Sequence, residues 1–487
     1  MKKSLAKNAM YKAILNIFNL FVPLLVNPYI MRVLDLELYG AYNRVNAEFS
    51  VFLTLAAFGI YNYGVREISR IREHPEKLSK VFTSLFVIGL SSNIVVGIFY
   101  FIYFSRVSTG VDYYIYLVMM IQLVANIFYI EFVNEAVENY GFITLKTIII
   151  RICYLVSIFI FVKKPTDIIP YSIVVCMTIF ANNFVSYCYL KKRIKFDFKH
   201  LEIKKHIVPL IIALVLTNVE ILYSQLDKLM IGKYLGDVSV SFYVIPTTLI
   251  GMLSTVPLSL INVSIPRLSM MIGEGDKEGY MQTLDMTRNV FFSMMSPICF
   301  GVLILAPEIM WIYSGEEYVL AYTVLIVACL VRYFTLSTQS VIMNLVMYIN
   351  NLEKQMVKLL AIFGIFNLVS NYTLVILGVF SPETSLMTTG LSIILFNIVA
   401  IRCCRQNLDM KLSYFSSRQM RYLGVSCLFI PIGLMIKMLP IGLMGHVILS
   451  IVSCAGLYFA FLYFTKDETL VIILRKFKLD RFLKVNH

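Results

Sequence analysis

The chain has 487 residues, of which 59% are hydrophobic and only 15% are charged, whereas soluble domains carry about 25% charged residues. The mean hydropathy is +0.78, and so little charge does not suffice to cover the surface of a soluble protein of this length. The composition therefore excludes a soluble globular enzyme, a disordered chain and a secreted disulfide scaffold. It predicts a polytopic membrane protein.

Apolar segments follow one another along almost the whole chain, and many have about 20 residues, the length that crosses a bilayer as a helix. None alternates like a barrel strand, and a chain within lipid must satisfy its backbone hydrogen bonds internally. We therefore predict an all-α membrane protein with 14 transmembrane helices. The apolar segments are 8–31, 40–62, 79–104, 112–136, 141–162, 167–190, 206–232, 239–263, 287–306, 320–348, 355–378, 385–403, 420–438 and 441–464.

The first of these segments begins like a signal peptide, with three lysines before its apolar run. Residues 1–29 contain no clear small-x-small cleavage site. We therefore expect this segment to be retained as the first helix.

Basic residues give the chain a net charge of +14. They occur in short blocks between apolar segments, so they indicate membrane topology rather than a nucleic-acid partner. When the N-terminus is placed in the cytoplasm, most cations fall in the cytoplasmic loops 63–80, 191–205 and 404–421 and in the C-terminal tail. The positive-inside rule then predicts a multi-pass protein of the cytoplasmic membrane with both termini in the cytoplasm.

An internal repeat emerges when the chain is shifted by 201 residues, which places residues 33–42 on 234–243. Six predicted helices separate the two copies, so both copies run in the same direction through the membrane. We expect a six-helix bundle in residues 1–200, a second, parallel bundle in 201–405, and a central cavity between them. Residues 406–487 would hold helices 13 and 14 and a basic cytoplasmic tail.

Polar side chains recur every three or four residues along the first and seventh predicted helices, which places them on one helix face. A charge in the bilayer core costs at least about 2.5–3.5 kcal/mol, so such residues usually face a cavity or a partner. We predict that both stripes line a water-filled cleft; alternatively, they hold packed helices together. The candidate residues are Lys12, Asn16, Asn19 and Asn27 in the first helix, and Glu220, Asp227 and Lys228 in the seventh.

Further charges lie inside the second and tenth segments. Arg44 and Glu48 are one helical turn apart, so they either neutralise each other or face the cleft. Arg332 lies near the middle of its segment and is a candidate for the cavity wall.

The fourth and fifth segments carry charges of both signs. Glu131 and Glu135 are one turn apart and repel each other if both are ionised, so one of them should hold a proton or find a cation. Lys146 is near a helix end, where its side chain is expected to snorkel to the interface. Arg151 lies deeper and is expected to face the interior.

Catalytic motifs are absent from the sequence: it contains no HExxH, GxSxG or P-loop pattern. The nine cysteines are scattered and form no CxxC or Cys/His cluster. An integral-membrane polymerase or glycosyltransferase would need a large outside loop or a cytoplasmic catalytic domain, and the sequence has neither. We therefore expect no enzyme activity, no metal and no cofactor.

Two short stretches resemble the polysaccharide transporter family, the Wzx-type flippases of lipid-linked repeat units. This family belongs to the superfamily that includes MATE drug exporters and lipid II flippases. The stretches are Asp227-Lys228-Leu229-Met230-Ile231-Gly232-Lys233-Tyr234-Leu235-Gly236 with Tyr243, and Pro28-Tyr29-Ile30-Met31-Arg32-Val33-Leu34 with Tyr39-Gly40 and Tyr42.

The resemblance implies a non-enzymatic flippase with two six-helix bundles around a cavity that opens alternately to each face. Its substrate would be an undecaprenyl-diphosphate-linked oligosaccharide used for capsule, exopolysaccharide or O-antigen synthesis. Membrane lipids, a polysaccharide polymerase and glycosyltransferases are the partners expected. Cations for the diphosphate would come from Lys12, Arg44, Arg151, Lys228 and Arg332, and groups that bind sugars from Asn16, Asn19, Asn27, Glu131 and Glu220.

Two alternatives remain open within the same superfamily, a MATE-like drug or cation antiporter and a lipid II-type flippase. For the oligosaccharide flippase itself, we expect transport to be coupled to a downhill ion, H⁺ or Na⁺. The acidic residues that could bind the ion are Glu131, Glu220 and Asp227.

Overall fold

The computed structural model describes residues 5–218, 221–408, 412 and 416–467, and these residues form helices, turns and loops without a β-strand. The predicted all-α fold is thereby confirmed. The chain divides into two compact units, Met1–Ser241 and Phe242–His487. The predicted bundle boundaries at residues 200 and 405 stay a prediction.

Helices α1 to α10 belong to the first unit, and α11 begins at its end. Their bounds are α1 Leu5–Val33, α2 Leu36–Ala57, α3 Ile60–Ile71, α4 Pro75–Val107, α5 Gly110–Ile127, α6 Glu131–Ala136, α7 Tyr140–Phe161, α8 Ile168–Lys191, α9 Ile203–Asn218, α10 Ile221–Leu235 and α11 Asp237–Gly273.

The second unit continues with α12 to α19. Their bounds are α12 Lys277–Ile304, α13 Ala306–Ser314, α14 Tyr322–Ser337, α15 Glu353–Ile376, α16 Pro382–Leu408, α17 Ser417–Cys427, α18 Phe429–Lys437 and α19 Leu443–Phe464. A 3₁₀ turn at Glu316–Ala321 precedes α14, and a π-helical stretch at Thr338–Tyr348 follows it. Within this unit, α12 packs against α14 and against the terminal helices α17 to α19.

Eleven helical stretches in the described parts of the chain are long and apolar enough to cross a membrane. The predicted segments 8–31 and 40–62 are also helical but are not among the eleven, and the described parts of segment 206–232 are helical as well. In segment 40–62, polar residues such as Arg44 and Glu48 lower the mean hydropathy. The multi-pass architecture is established, and the number of 14 crossings stays a prediction.

Several predicted segments are broken helices rather than continuous ones. The second segment breaks between α2 and α3, where Phe58 and Gly59 have φ angles of 49° and 70°. Glycine is required at this break, because a Cβ on Gly59 would lie 2.6 Å from the backbone nitrogen of Leu214 in α9. The fourth segment also breaks, between α5 and α6, but with negative φ angles at Phe128 and Ile130.

Asparagine side chains compensate for the backbone hydrogen bonds that these breaks remove. Asn183 donates to the carbonyl oxygen of Ala125 at 3.0 Å, and Asn93 lies 3.4 Å from that of Ala56. Asn126 in turn donates to the side-chain oxygen of Asn93 at 3.0 Å. Irregular backbone is tolerated at membrane depth where side chains or water satisfy it in this way.

Helices α1, α7 and α8 are fixed together at the end where α7 turns into α8. The hydroxyl of Tyr29 in α1 donates to the carbonyl of Val162 at 2.7 Å. The carboxylate of Asp167 accepts from the backbone N–H groups of Lys163 and Lys164 at 2.9 and 2.8 Å, and these two hydrogen bonds hold the pKa of Asp167 below its ordinary value. This tight turn sets the spacing of α7 and α8, which form part of the site described next.

The two copies of the repeat motif contact each other within the first unit. The hydroxyl of Ser241 donates to the carbonyl of Leu36 at 2.8 Å, while Gly40 packs so closely on the carbonyl of Asp237 that a Cβ would collide with it. Under the shift of 201 residues, Leu36 corresponds to Asp237 and Gly40 to Ser241. The counterparts of the contacting pair Leu36 and Ser241 are thus Asp237 and Gly40, which contact each other in turn; this is the reciprocal pattern that a two-fold axis produces.

Candidate functional site

A cavity of about 270 Å³ in the first unit brings three of the predicted site residues together. We call it the polar cavity. Asn19 comes from α1, Arg151 from α7, and Glu131 from the junction where α5 breaks into α6. Its walls consist of Leu15, Asn19, Tyr129, Glu131, Ile143, Thr147, Ile150, Arg151, Thr178, Ile179 and Asn182.

A buried ion pair holds the wall that contains Glu131. The ammonium of Lys146 lies 2.9 Å from Glu131 Oε2, and it also donates to the Ser186 hydroxyl at 2.6 Å and to the Asn182 carbonyl at 3.2 Å. The Ser186 hydroxyl donates to the same Oε2. The expectation that one of the two neighbouring carboxylates would find a cation is confirmed, since Glu131 pairs with Lys146 while Glu135 accepts from the Tyr61 hydroxyl at 2.8 Å.

The expectation that Lys146 snorkels to the interface is wrong. Lys146 is only 5% exposed. It can be buried because the break between α5 and α6 places the Glu131 carboxylate within reach of its ammonium. A lysine whose charge is met by a carboxylate and two further oxygens has no need to reach water.

Two groups in the polar cavity are available to bind a ligand. Glu131 Oε1 is buried and has no hydrogen-bond partner in the described part of the chain. Arg151 is half-buried and forms no ion pair with any residue that the structure describes. Since Lys146 neutralises Glu131, the charge of Arg151 is left over and the cavity favours an anion.

Arg44 lies elsewhere in the first unit, within a network of carboxylates. Its Nε is 2.6 Å from Asp237 Oδ1, and its Nη2 is 2.6 Å from Asp112 Oδ2. Glu48, the partner that the sequence suggested, is 4.0 Å from Nη1. The Glu48 carboxylate instead accepts hydrogen bonds from the hydroxyls of Tyr103, at 2.8 Å, and Tyr116.

This network joins α2, α5 and the first residue of α11. Sequence reasoning missed Asp112 and Asp237, which are 68 and 193 positions away from Arg44. The Nε and Nη2 of Arg44 donate to the carboxylates of Asp237 and Asp112, so in this structure Arg44 links helices rather than offering its charge to a ligand.

The remaining predicted site residues do not converge on the polar cavity. Asp227 in α10 is fully buried, and the ammonium of Lys228 lies 3.5 Å from the Gln225 side-chain oxygen. Asn27 is half-buried near the end of α1, and Arg332 is half-buried in α14 of the second unit. The side chains of Lys12, Asn16 and Glu220 lie outside the described residues.

Comparison with known proteins identifies a matching family and similar proteins. A family profile described as "Polysaccharide biosynthesis protein" matches residues 5–272, more than half of the chain. A protein of Shigella dysenteriae, named as a proposed O-antigen transporter, is 21% identical over 405 residues, which cover 81% of this chain and all of the relative. A protein of the same name from Escherichia coli strain K12 is 24% identical over 172 residues, which are 34% of this chain and 40% of that protein.

Solved structures show the same fold. The lipid II flippase MurJ in an inward closed conformation aligns with a TM-score of 0.67 at 13% identity, over 97% of this chain and 99% of its own. A multidrug resistance MATE family transporter of the MOP superfamily, in an inward-facing conformation, aligns with a TM-score of 0.56 at 12% identity, over 80% and 94% of the two chains.

The Glu131–Lys146 pair should behave as a coupled unit. Removing one partner of a buried pair leaves a charge without its counter-ion and costs about 3–5 kcal/mol. We expect Glu131→Gln and Lys146→Met each to lower the free energy of unfolding, measured in mixed micelles, by an amount of this order. The double variant should lose less than the sum of the two. Glu135→Gln is the matched control, and it should cost only about 1 kcal/mol because it affects one neutral-donor hydrogen bond. Additive losses in the double variant would show that the pair is not coupled.

Arg44→Gln should destabilise the first unit, because it leaves Asp112 and Asp237 close together without their shared cation. Hydrogen bonds to charged groups contribute about 1.5–3 kcal/mol, so we expect a loss of about 2 kcal/mol and a lower melting temperature. Arg106→Gln removes an exposed arginine of α4 and should leave melting unchanged. Adding Asp112→Asn to Arg44→Gln should restore part of the lost stability. Equal melting temperatures of Arg44→Gln and Arg106→Gln would contradict a structural role for Arg44.

Proposed function

The chain is a multi-pass membrane protein of the polysaccharide biosynthesis protein family within the MOP superfamily, and on that premise we propose that it is a flippase for undecaprenyl-diphosphate-linked oligosaccharide repeat units. It would move them across the cytoplasmic membrane by alternating access, for the synthesis of a capsule, exopolysaccharide or O-antigen. The names of its relatives, which are transporters, favour a role without bond-making chemistry.

The polar cavity is the observation that carries this proposal. A charged, hydrated headgroup cannot cross hydrocarbon unaided, because burying its polar groups without hydrogen bonds costs several kcal/mol for each. The cavity offers amides, hydroxyls, one carboxylate oxygen and one uncompensated cation inside a helical unit whose outer surface is apolar. These are the groups that replace water around a sugar phosphate.

The chemistry of the lining residues suggests how a headgroup would be divided among them. The Arg151 guanidinium suits the diphosphate, because its planar fork forms two parallel hydrogen bonds to an oxyanion. Asn19, Thr147 and Asn182 suit sugar hydroxyls, which both donate and accept. The free Oε1 of Glu131 would accept from one further hydroxyl. The lipid chain needs none of these groups and remains in an apolar environment.

Transport would be driven by a downhill ion. Of the three acidic candidates, Glu131 and Asp227 are buried in the structure, and Glu220 lies outside the described residues. Burial makes a carboxylate sensitive to the protonation or cation binding that a transport cycle requires.

Orientation and partners complete the proposal. The distribution of basic loops favours both termini on the cytoplasmic side of the cytoplasmic membrane. A transporter placed in this way would receive its substrate from glycosyltransferases on the cytoplasmic face. It would deliver the substrate to a polymerase on the outer face.

Arg151→Gln tests the site and the substrate together. In a strain that lacks the chromosomal protein, we expect the variant to reduce surface polysaccharide at least tenfold, the effect of losing about 1.4 kcal/mol of binding. Lipid-linked oligosaccharide should accumulate on the cytoplasmic leaflet. Arg151→Lys should restore part of the export because it keeps the charge.

Arg402→Gln removes an exposed arginine of α16 and is the matched control, which should export normally. Accumulation of lipid II, or a gain in drug sensitivity with normal polysaccharide export, would contradict the proposed substrate. The first result would support a lipid II-type flippase, and the second a drug antiporter.

Alanine substitution of Glu131, Glu220 and Asp227 tests ion coupling. We expect at least one of the three variants to change the dependence of transport on pH or on Na⁺, measured with the purified protein in liposomes under an imposed gradient. Unchanged pH and ion dependence in all three would refute coupling through these residues. Glu135→Ala is the control, because its carboxylate lies on the same helix but is hydrogen-bonded by Tyr61.

A further inference from the structure

An apolar groove runs between the halves of α7 and α8 that lead into their connecting turn. Its volume is about 600 Å³, within the range of about 300–1,000 Å³ that is typical of sites for small molecules. Cys153, Ile173 and Met177 are exposed along it, so the groove is open at the surface. We call it the α7–α8 groove. Its other lining residues include Ser157, Phe161 and Ala181.

The α7–α8 groove adjoins the polar cavity. Ile150 of α7 and Thr178 of α8 line both. Arg151, which follows Ile150 directly, lines the polar cavity, and Tyr154, one turn further along α7, lines the groove. A charged compartment and an apolar compartment therefore meet at one level of the same two helices.

Another apolar groove on the first unit does not adjoin the polar cavity. It has a volume of about 410 Å³, lies between α4 and α9, and is lined by residues such as Val95, Val96 and Ile207. None of the residues that line it belongs to the polar cavity. Contact with membrane lipid alone accounts for the α4–α9 groove, but it does not account for a groove that shares two lining residues with a polar cavity.

We propose that the α7–α8 groove binds the isoprenoid chain of the lipid-linked substrate, next to its diphosphate, while the headgroup occupies the polar cavity. This inference rests on the proposed function and names a second subsite for the same molecule. The uncompensated charge of Arg151 selects an anionic headgroup. The row of branched, aromatic and sulfur-containing side chains selects a hydrocarbon chain, and methionine adapts its shape to irregular apolar partners.

The direction of the groove gives the bound lipid an orientation. From the shared residues Ile150 and Thr178, the groove extends toward the turn at Lys163 and Lys164. With the proposed topology this turn faces outside, so the chain would point outward and the headgroup toward the cytoplasm. That is the orientation of a lipid in the cytoplasmic leaflet, and the site would therefore hold the substrate before translocation.

Ser157→Trp tests the groove by filling its middle. Native mass spectrometry of the purified full chain with undecaprenyl diphosphate measures binding, and we expect the variant to weaken it at least tenfold. Val95→Trp introduces the same side chain into the α4–α9 groove and should bind like the parent protein. Phosphatidylglycerol, an anionic lipid with acyl chains, is the second probe, and its binding should be the same in all three proteins.

A second measurement detects the bound lipid by direct contact rather than by blocking the groove. A photoreactive benzoylphenylalanine in place of Met177 should crosslink to undecaprenyl diphosphate, and the same group in place of Val95 should not. The groove proposal alone would be overturned if the parent protein binds undecaprenyl diphosphate, Ser157→Trp binds it equally well, and the group at position 177 forms no crosslink to it. Equal loss of phosphatidylglycerol and undecaprenyl diphosphate would assign the groove to ordinary membrane lipid and overturn it as well. Failure of the parent protein to bind undecaprenyl diphosphate would instead contradict the proposed function.

Discussion

The interior of a membrane offers no water to a charged side chain, and this constraint explains how the first unit is built. Lys146 and Glu131 are buried because each satisfies the other, with Ser186 completing the set of hydrogen bonds. Arg44 is held by carboxylates from two other helices. The same constraint separates structural charges from charges that are available to a ligand. A cation that is paired with carboxylates, such as Arg44, stabilises the fold. A cation without an ion pair in the described structure, such as Arg151, is available to an anion.

The helical fold was accessible from the sequence because it follows from hydropathy and from the need to satisfy the backbone within one segment. The breaks inside segments were not accessible. Phe58 adopts a left-handed conformation that its residue type disfavours, and it does so because Gly59 packs directly on the backbone of α9. Such a break depends on a tertiary contact with residues more than 150 positions away. The local helix propensity of the sequence therefore does not predict it. The same holds for the asparagines that bind the freed carbonyls.

The candidate site was predictable in part. Asn19, Glu131 and Arg151 were selected because polar residues at membrane depth rarely face lipid, and the structure places all three around one cavity. Their partners could not be found in the same way. Lys146 was assigned to the interface from its distance to a helix end, but its environment is set by the position of Glu131 across a helix break. For Arg44, the near neighbour in sequence is the weakest partner, since a carboxylate one turn away on the same helix competes with better-placed carboxylates on others.

An amphiphile makes two opposite demands on a protein, and the first unit meets them side by side. The headgroup must lose its water, so it needs hydrogen bonds and a counter-charge. The chain must not be hydrated at all, so it needs a continuous apolar path. If the polar cavity and the α7–α8 groove were separate, one half of the molecule would always be in the wrong environment while the other was bound. Because Ile150 and Thr178 belong to both, one rigid pair of helices can satisfy both halves at once. For the proposed substrate, translocation would then require only that the headgroup changes its access, while the chain would stay in an apolar environment throughout.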